Sequence, residues 1–241
     1  MIAASSTPST TLIVGGTSGI GLAAALQLAR AGDEVHVVGR SQARLDKIAA
    51  TLHGHQADGA DAAAIGAVAA AIAPVGRLIV TLSGAEGIGP LADLDLAMLR
   101  RAFDAKFWAQ LTTVQAVLPH LAAAGSITLV SAITARGSMP GTAGIAAINA
   151  ALEALVKPLA VELAPRRVNA VSPGFVDTPW WDGLPEQARR DYFAAAAAAL
   201  PARQIATADQ IAEVVVLAAT NPNITGTVIE TDAGARLVSV P

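Results

Sequence analysis

Four glycines fall within seven residues in the run Gly15-Gly16-Thr17-Ser18-Gly19-Ile20-Gly21. An apolar stretch, Thr11-Leu12-Ile13-Val14, precedes the run, and a helically periodic stretch, Leu22 to Ala31, follows it. A strand, a glycine turn and a helix start, in that order, form an anion site. Glycine lets the backbone turn sharply and approach a ligand closely. The first N–H groups of a helix have no internal partner, and the helix dipole places partial positive charge on them. The spacing is G-x-x-x-G-x-G rather than the commoner G-x-G-x-x-G, and the chemistry it offers is the same: a cradle for the pyrophosphate of a dinucleotide.

The elements that must hold this turn are legible as alternating strands and helices. Strands are expected at Glu34–Gly39, His53–Ala57, Arg77–Leu82, Ser126–Ser131, Arg167–Val171 and Thr227–Thr231. Helices are expected at Ser41–Leu52, Asp61–Ala73, Ala143–Leu163 and Thr207–Ala219, with one long bent helix or two helices within Leu94–Ala124. The strands read as nearly continuous apolar runs, the pattern of a parallel sheet covered on both faces. The fold class is therefore α/β, a Rossmann-type three-layer sandwich, with the whole of residues 1–241 as one domain and residues 175–206 as an irregular lid segment with a helical piece. Ligands of such sheets bind at the carboxyl ends of the strands. The segments there are the glycine turn, Arg40, Asp58, Ser83-Gly84, Ser131 and Pro173-Gly174, so they are expected to converge on one site.

Composition narrows the function class. The net charge of −3 argues against a nucleic-acid partner. The absence of cysteine removes disulfides, thiol nucleophiles and thiolate metal sites. His36, His53, His55 and His120 show no metal-ligand spacing, and no metal is expected; His53 and His55 share a strand face and read as a solvated pair. No apolar run reaches the ~18–20 residues of a membrane span without a charge, Gly or Pro. Met1–Thr10 carries no basic leader, which points to a cytoplasmic protein without a membrane partner.

Taken together, GGTSGIG at Gly15–Gly21, SGA at Ser83–Ala85, RVNAVSPGFVDTP at Arg167–Pro179 and ITGTVIETDAG at Ile224–Gly234 resemble the short-chain dehydrogenase/reductase superfamily over essentially the whole chain. The resemblance implies a seven-stranded sheet binding NAD(H) or NADP(H), and a homotetramer or dimer built on the helices near Ala102–Ala124 and Ala143–Leu163. It assigns Gly15, Thr17, Ser18, Gly19, Ile20 and Gly21 to the pyrophosphate, and Asp58 and Gly59 to adenine. It places Ser83, Gly84 and Ala85 at the ribose, where the family usually has Asn-Ala-Gly, and Pro173, Gly174, Val176 and Thr178 at the nicotinamide. A carboxylate ending the second strand would bind both ribose hydroxyls; here Arg40 and Ser41 stand instead, a guanidinium and a hydroxyl suited to a 2′-phosphate, so NADP(H) is expected over NAD(H).

The resemblance breaks at the family's four catalytic positions. Matching the motifs puts Ala132 at the serine, Ile145 at the tyrosine, Asn149 at the lysine and Lys106 at the asparagine. Ile145 has no proton to give. If the two positions face each other, Lys106 and Asn149 exchange the family's pair; the ammonium then lies near the ribose, Asn149 bonds its hydroxyls, and a desolvated Lys106 serves as proton donor. The plainer alternative is a solvated lysine and a space-filling asparagine. Ser131, one place before the missing serine, is the remaining hydroxyl, although side chains alternate along a strand. Glu86, Met139, Ile145, Phe175, Trp180 and Trp181 are candidates to line a pocket for an apolar or aromatic small molecule. The expected function is an NADP(H)-dependent oxidoreductase on an unidentified carbonyl or alcohol. A non-redox enzyme such as an isomerase, dehydratase or lyase, and a catalytically silent cofactor-binding protein, stand as alternatives.

Overall fold

The computed structural model describes residues 8–84 and 86–238. The expectations placed on Met1–Thr7 and on Ala85 therefore lie outside the described residues. The strands are β1 (Thr10–Val14), β2 (Glu34–Gly39), β3 (Leu52–Gln56), β4 (Val75–Val80), β5 (Leu121–Val130), β6 (Arg167–Pro173), β7 (Val176–Asp177), β8 (Ala206–Thr207) and β9 (Val228–Thr231). Seven of them form one sheet in the order β3-β2-β1-β4-β5-β6-β9, with every pairing parallel. The order reverses at β1, which pairs with β2 on one side and β4 on the other, so a crevice opens beside its carboxyl end.

Alternation along the strands feeds two separate cores. Ile13, Val37 and Ile79 point to the face covered by α1 (Gly19–Arg30) and α8 (Ala208–Thr220), where Leu28, Ile211 and Val215 meet them. Leu12, Val14, Val38 and Val80 point to the opposite face, where they pack with Ile65, Val114, Val117 and Val156. Those residues come from α3 (Ala62–Ala71), α5 (Ala109–Val117) and α6 (Ala143–Glu162). A sheet buried on both faces has few polar positions to place, which explains the unbroken apolar runs.

Several boundaries differ from the sequence expectation. The helix expected at Ser41–Leu52 is only α2 (Gln42–Leu45); three-residue turn bonds at Lys47 and Ile48 tighten the chain so that β3 can begin at Leu52. The region Leu94–Ala124 is one continuous rod, α4 (Leu96–Phe103), a π-helical turn (Asp104–Trp108) and α5, closed by a 3-10 turn at Leu118–His120. Residues after Leu121 belong to β5 rather than to a helix. The segment 175–206 holds its expected helical piece as α7 (Glu186–Ala199), and the two-stranded β7–β8 pair is the addition. His53 and His55 are not merely a solvated pair: His36 Nδ1 lies 3.0 Å from His55 Nε2 and the His36 and His53 rings stack at 4.7 Å, across the β2–β3 pairing.

Thr207 caps α8 through a reciprocal bond with Gln210, fixing where the lid returns to the sheet. By length and composition α6 is apolar enough to cross a membrane, although it carries Glu153, Lys157 and Pro158 and packs on β6.

Candidate active site

The carboxyl ends of β1, β2, β3, β4, β5 and β6 open into one cavity of about 1190 Å³. Its floor at β1 is the glycine turn. Gly15 adopts φ +92°, a conformation only glycine takes without strain. A Cβ on Gly21 would meet Gly15 O at 2.5 Å, so α1 starts pressed against the turn. Ser18 is the N-cap of α1, yet its side chain makes no capping bond and the first turn of the helix carries no acidic residue. The donors and the positive dipole end of α1 are thus left for a ligand anion.

Around this turn the cavity is lined by Thr17, Ser18, Gly19, Ile20, Arg40, Ser41, Asp58, Gly59 and Ser83, and farther along by Ser131, Pro173, Gly174, Val176 and Thr178. Arg40 is 79% exposed and lies 3.9 Å from Asp58. Arg44, which the sequence reading passed over, also lines the cavity and donates from its guanidinium to Ser18 Oγ at 3.4 Å. Its signal was a second arginine four residues after Arg40, at the start of the helix expected from Ser41.

Lys106 stands in the π-helical turn between α4 and α5. Such turns bulge one residue out of the helix ladder and are frequent at functional sites. The bulge carries Lys106 inward: it lines the cavity and is only 6% exposed. Its Nζ donates to the Ser131 carbonyl at 3.2 Å, and it makes no ion pair among the described residues. Burial lowers its pKa to about 8, against a smaller opposing pull from the Glu153 carboxylate. The plainer alternative, a solvated helix lysine, is corrected by this burial. Glu153 accepts from Ser131 Oγ at 2.7 Å and from Arg136 at 2.9 Å, and Arg136 also pairs with Glu230. The Ser131 hydroxyl therefore points to Glu153, although the residue lines the cavity.

Three candidates stand elsewhere than expected. Asn149 is fully buried and is not part of the cavity wall. Its Nδ2 donates to Thr134 Oγ1 and to the Ile145 carbonyl, both at 2.9 Å, and its Oδ1 has no partner. In this conformation it braces α6 instead of facing the ribose site. Glu86 turns outward to Arg101 at 3.2 Å, both side chains being well exposed. Gly84 is not in the wall; its carbonyl accepts from Trp180 Nε1 at 3.1 Å, which ties the lid to the turn after β4.

The apolar end of the cavity is lined by Met139, Ile145, Phe175, Trp180, Trp181 and Tyr192. Trp181 also packs on Tyr192 and Phe193 of α7, so it both closes the lid and faces the cavity. Tyr192, the chain's single tyrosine, does not match the family's tyrosine position in the sequence and so carried no role there, yet the fold brings it to the cavity wall; burial raises its pKa.

Residues 14–236 match the sequence profile of the family described as enoyl-(acyl carrier protein) reductase. The chain is a short-chain dehydrogenase/reductase. Members of this superfamily are oxidoreductases that bind nicotinamide cofactors and usually form oligomers. The chain is 31% identical to cis-4-hydroxycyclohexanecarboxylate dehydrogenase of Sinomonas cyclohexanicum, over 94% of its own length and 96% of the relative's. It superimposes at TM-score 0.82 on a small-chain dehydrogenase solved in complex with NADPH, with 33% identity over 96% of this chain and 100% of that one. It also superimposes at TM-score 0.85 on the MalC reductase/Diels-Alderase of Malbranchea aurantiaca, with 26% identity over 95% and 96% of the two chains. The turn, the free N-terminus of α1 and the flanking cations suit a dinucleotide.

Proposed function

We propose that this short-chain dehydrogenase/reductase is an NADP(H)-dependent oxidoreductase of an apolar or aromatic carbonyl or alcohol, with Lys106 in place of the family's tyrosine as proton donor. The observation that carries the cofactor preference is the group Arg40, Arg44 and Ser18 beside the glycine turn: two guanidiniums and a hydroxyl, with no carboxylate ending β2. Guanidiniums match phosphate oxygens in geometry and charge. The similar dehydrogenase in complex with NADPH supports the same choice.

When bound, the cofactor supplies or accepts the hydride. The glycine turn and the start of α1 would hold its pyrophosphate, and Pro173, Gly174, Val176 and Thr178 would hold its nicotinamide end. Trp180, Trp181 and Phe175 exclude water from the apolar end and orient a flat or aliphatic substrate. The proton for a substrate alkoxide comes from a group in the wall. Ile145, at the position where the family's tyrosine is expected, has none. Lys106 and Tyr192 both line the cavity, but burial moves their pKa values in opposite directions. A general acid works best with a pKa near the working pH. The lysine at about 8 meets that condition, whereas the phenol is pushed farther from it.

A non-redox reading is favoured by one observation, the similar structure whose name joins a reductase to a Diels-Alderase. The exposed apolar residues Leu96 and Trp108 on the α4–α5 rod and Val161 on α6 support assembly into a homo-oligomer through those helices.

Titration with NADPH tests the reading. Binding should quench the fluorescence of Trp180 and Trp181 and raise the melting temperature, as a native-state ligand does. No quenching and no shift at millimolar NADPH refute the cofactor assignment. If NADPH binds but is never oxidised across a panel of aromatic and alicyclic carbonyls, the non-redox reading replaces the oxidoreductase one.

A further inference from the structure

The chain has three lysines, Lys47, Lys106 and Lys157. Lys47 and Lys157 are exposed, and Lys106 alone lines the cavity. Among the described residues its amine has one acceptor, the Ser131 carbonyl, and no carboxylate close enough to hold it as a salt bridge. Five apolar side chains, Met139, Ile145, Phe175, Trp180 and Trp181, line the same cavity. An amine desolvated beside apolar walls is the arrangement in which lysine becomes a nucleophile toward carbonyls.

We propose that Lys106 is a covalent capture site for apolar aldehydes, forming a reversible Schiff base with an aldehyde that enters the cavity. The lone pair of the neutral amine attacks the carbonyl carbon, and the carbonyl π bond opens to give a carbinolamine. Both amine protons end on the former carbonyl oxygen, which leaves as water, and a C=N bond closes. One aldehyde and one amine give one imine and one water, and no oxidant or reductant takes part. The walls select the ligand class: a flat aromatic or alicyclic aldehyde buries its body against Trp180 and Trp181, while a charged aldehyde loses hydration without a partner. The site needs no cofactor, so it stands apart from the NADP(H) reading.

Reductive trapping tests it. The full-length protein, without nicotinamide, is incubated at neutral pH with 1-naphthaldehyde and sodium cyanoborohydride, and the adduct is located by peptide mass mapping. A lysine with a pKa near 8 holds far more neutral amine at pH 7 than an exposed one. Lys106 should therefore be labelled at least about ten-fold faster than Lys47 and Lys157. Labelling in urea should erase the preference, and Lys106→Arg should remove the fast adduct with Lys47 and Lys157 unchanged. Labelling of Lys47 and Lys157 at or above the rate of Lys106 in the folded wild-type protein overturns the proposal, whatever the variant does. NADPH binding measured on the same preparation separates this outcome from the fate of the oxidoreductase reading.

Discussion

Arg40→Asp is the sharpest probe of cofactor choice, because it reverses one charge at the cavity rim. Arg40 is 79% exposed and its nearest acid is Asp58 at 3.9 Å. At about 4 Å, two unit charges interact by about 1 kcal/mol in bulk water and about 4 kcal/mol near a protein surface. The exposure of Arg40 selects the lower end. Replacing a positive by a negative charge changes the field on a 2′-phosphate by two units, so the loss for NADPH is roughly 2–3 kcal/mol. Arg44 stays in place beside Ser18 and keeps the loss from growing further. NADH has hydroxyls where NADPH has the phosphate, and the new carboxylate can accept from them, so its affinity should hold or rise. The ratio of the two dissociation constants should shift by about 30- to 140-fold toward NADH, since each 1.4 kcal/mol is ten-fold. Tryptophan quenching gives both constants. The effect should shrink from 50 to 300 mM salt, because an exposed pair is screened. A ratio that moves less than about three-fold at low salt would remove Arg40 from the phosphate site.

Three other outcomes follow from the buried groups. Lys106→Met should stabilise the protein at pH 7 by roughly 1–3 kcal/mol. A pKa lowered from 10.5 to about 8 means that folding penalises the ammonium by up to about 3 kcal/mol below pH 8. That gain should fade as pH rises from 8 to 10.5, and denaturant melts across this range check it. Glu153→Gln should lower the Lys106 pKa below about 8, because the carboxylate raises it; the acid-to-base inflection of aldehyde trapping or turnover should move to lower pH, and an unmoved inflection removes Glu153 from the tuning of Lys106. His36 and His55 have pKa values held below 6.5, first by burial and then by neighbouring imidazoles. The fold thus favours their neutral forms, so stability should be full above pH 6.5 and fall as the unfolded chain takes up protons below it. His36→Phe should flatten that acid-side loss, as read by melting temperature between pH 5 and 7.

The sheet was legible because burial on both faces forces a pattern that survives in one sequence. Leu12-Ile13-Val14 and Val35–Val38 have no solvent face, and the interrupting helices give each strand a parallel neighbour. The glycine turn was legible because geometry leaves no other residue type: a side chain on Gly16 would meet Val37 Cγ1 at 2.8 Å. The extent of α2 was not legible. Residues 41–52 have helical spacing, and only the need to start β3 at Leu52 cuts the helix to four residues. Among the described lid residues, order comes from contacts distant in sequence, such as Trp180 to the Gly84 carbonyl, which no local pattern records.

The least legible feature is the one the chemistry turns on. Nothing in Asp104-Ala105-Lys106-Phe107-Trp108 marks a π turn, and in a regular helix this stretch would read as an amphipathic surface. Three facts come together only in the folded chain. The turn carries Lys106 inward, the Ser131 carbonyl at the end of β5 receives its amine, and Glu153 on α6 is tied to Ser131 by a 2.7 Å hydrogen bond. A lysine is costly to bury, so a fold that needed only volume there would be better served by an apolar residue. The Asn149 side chain points the same way. It keeps a fully buried amide with its oxygen unpartnered, held by Thr134 and Ile145 beside the cavity wall. Of these two unfavourable polar burials, Lys106 lines the same cavity as Ile145, where the family's tyrosine is expected, and Asn149 is bonded to the Ile145 carbonyl. Stability alone accounts for neither, whereas a site that keeps an amine poised near neutral pH requires the first of them.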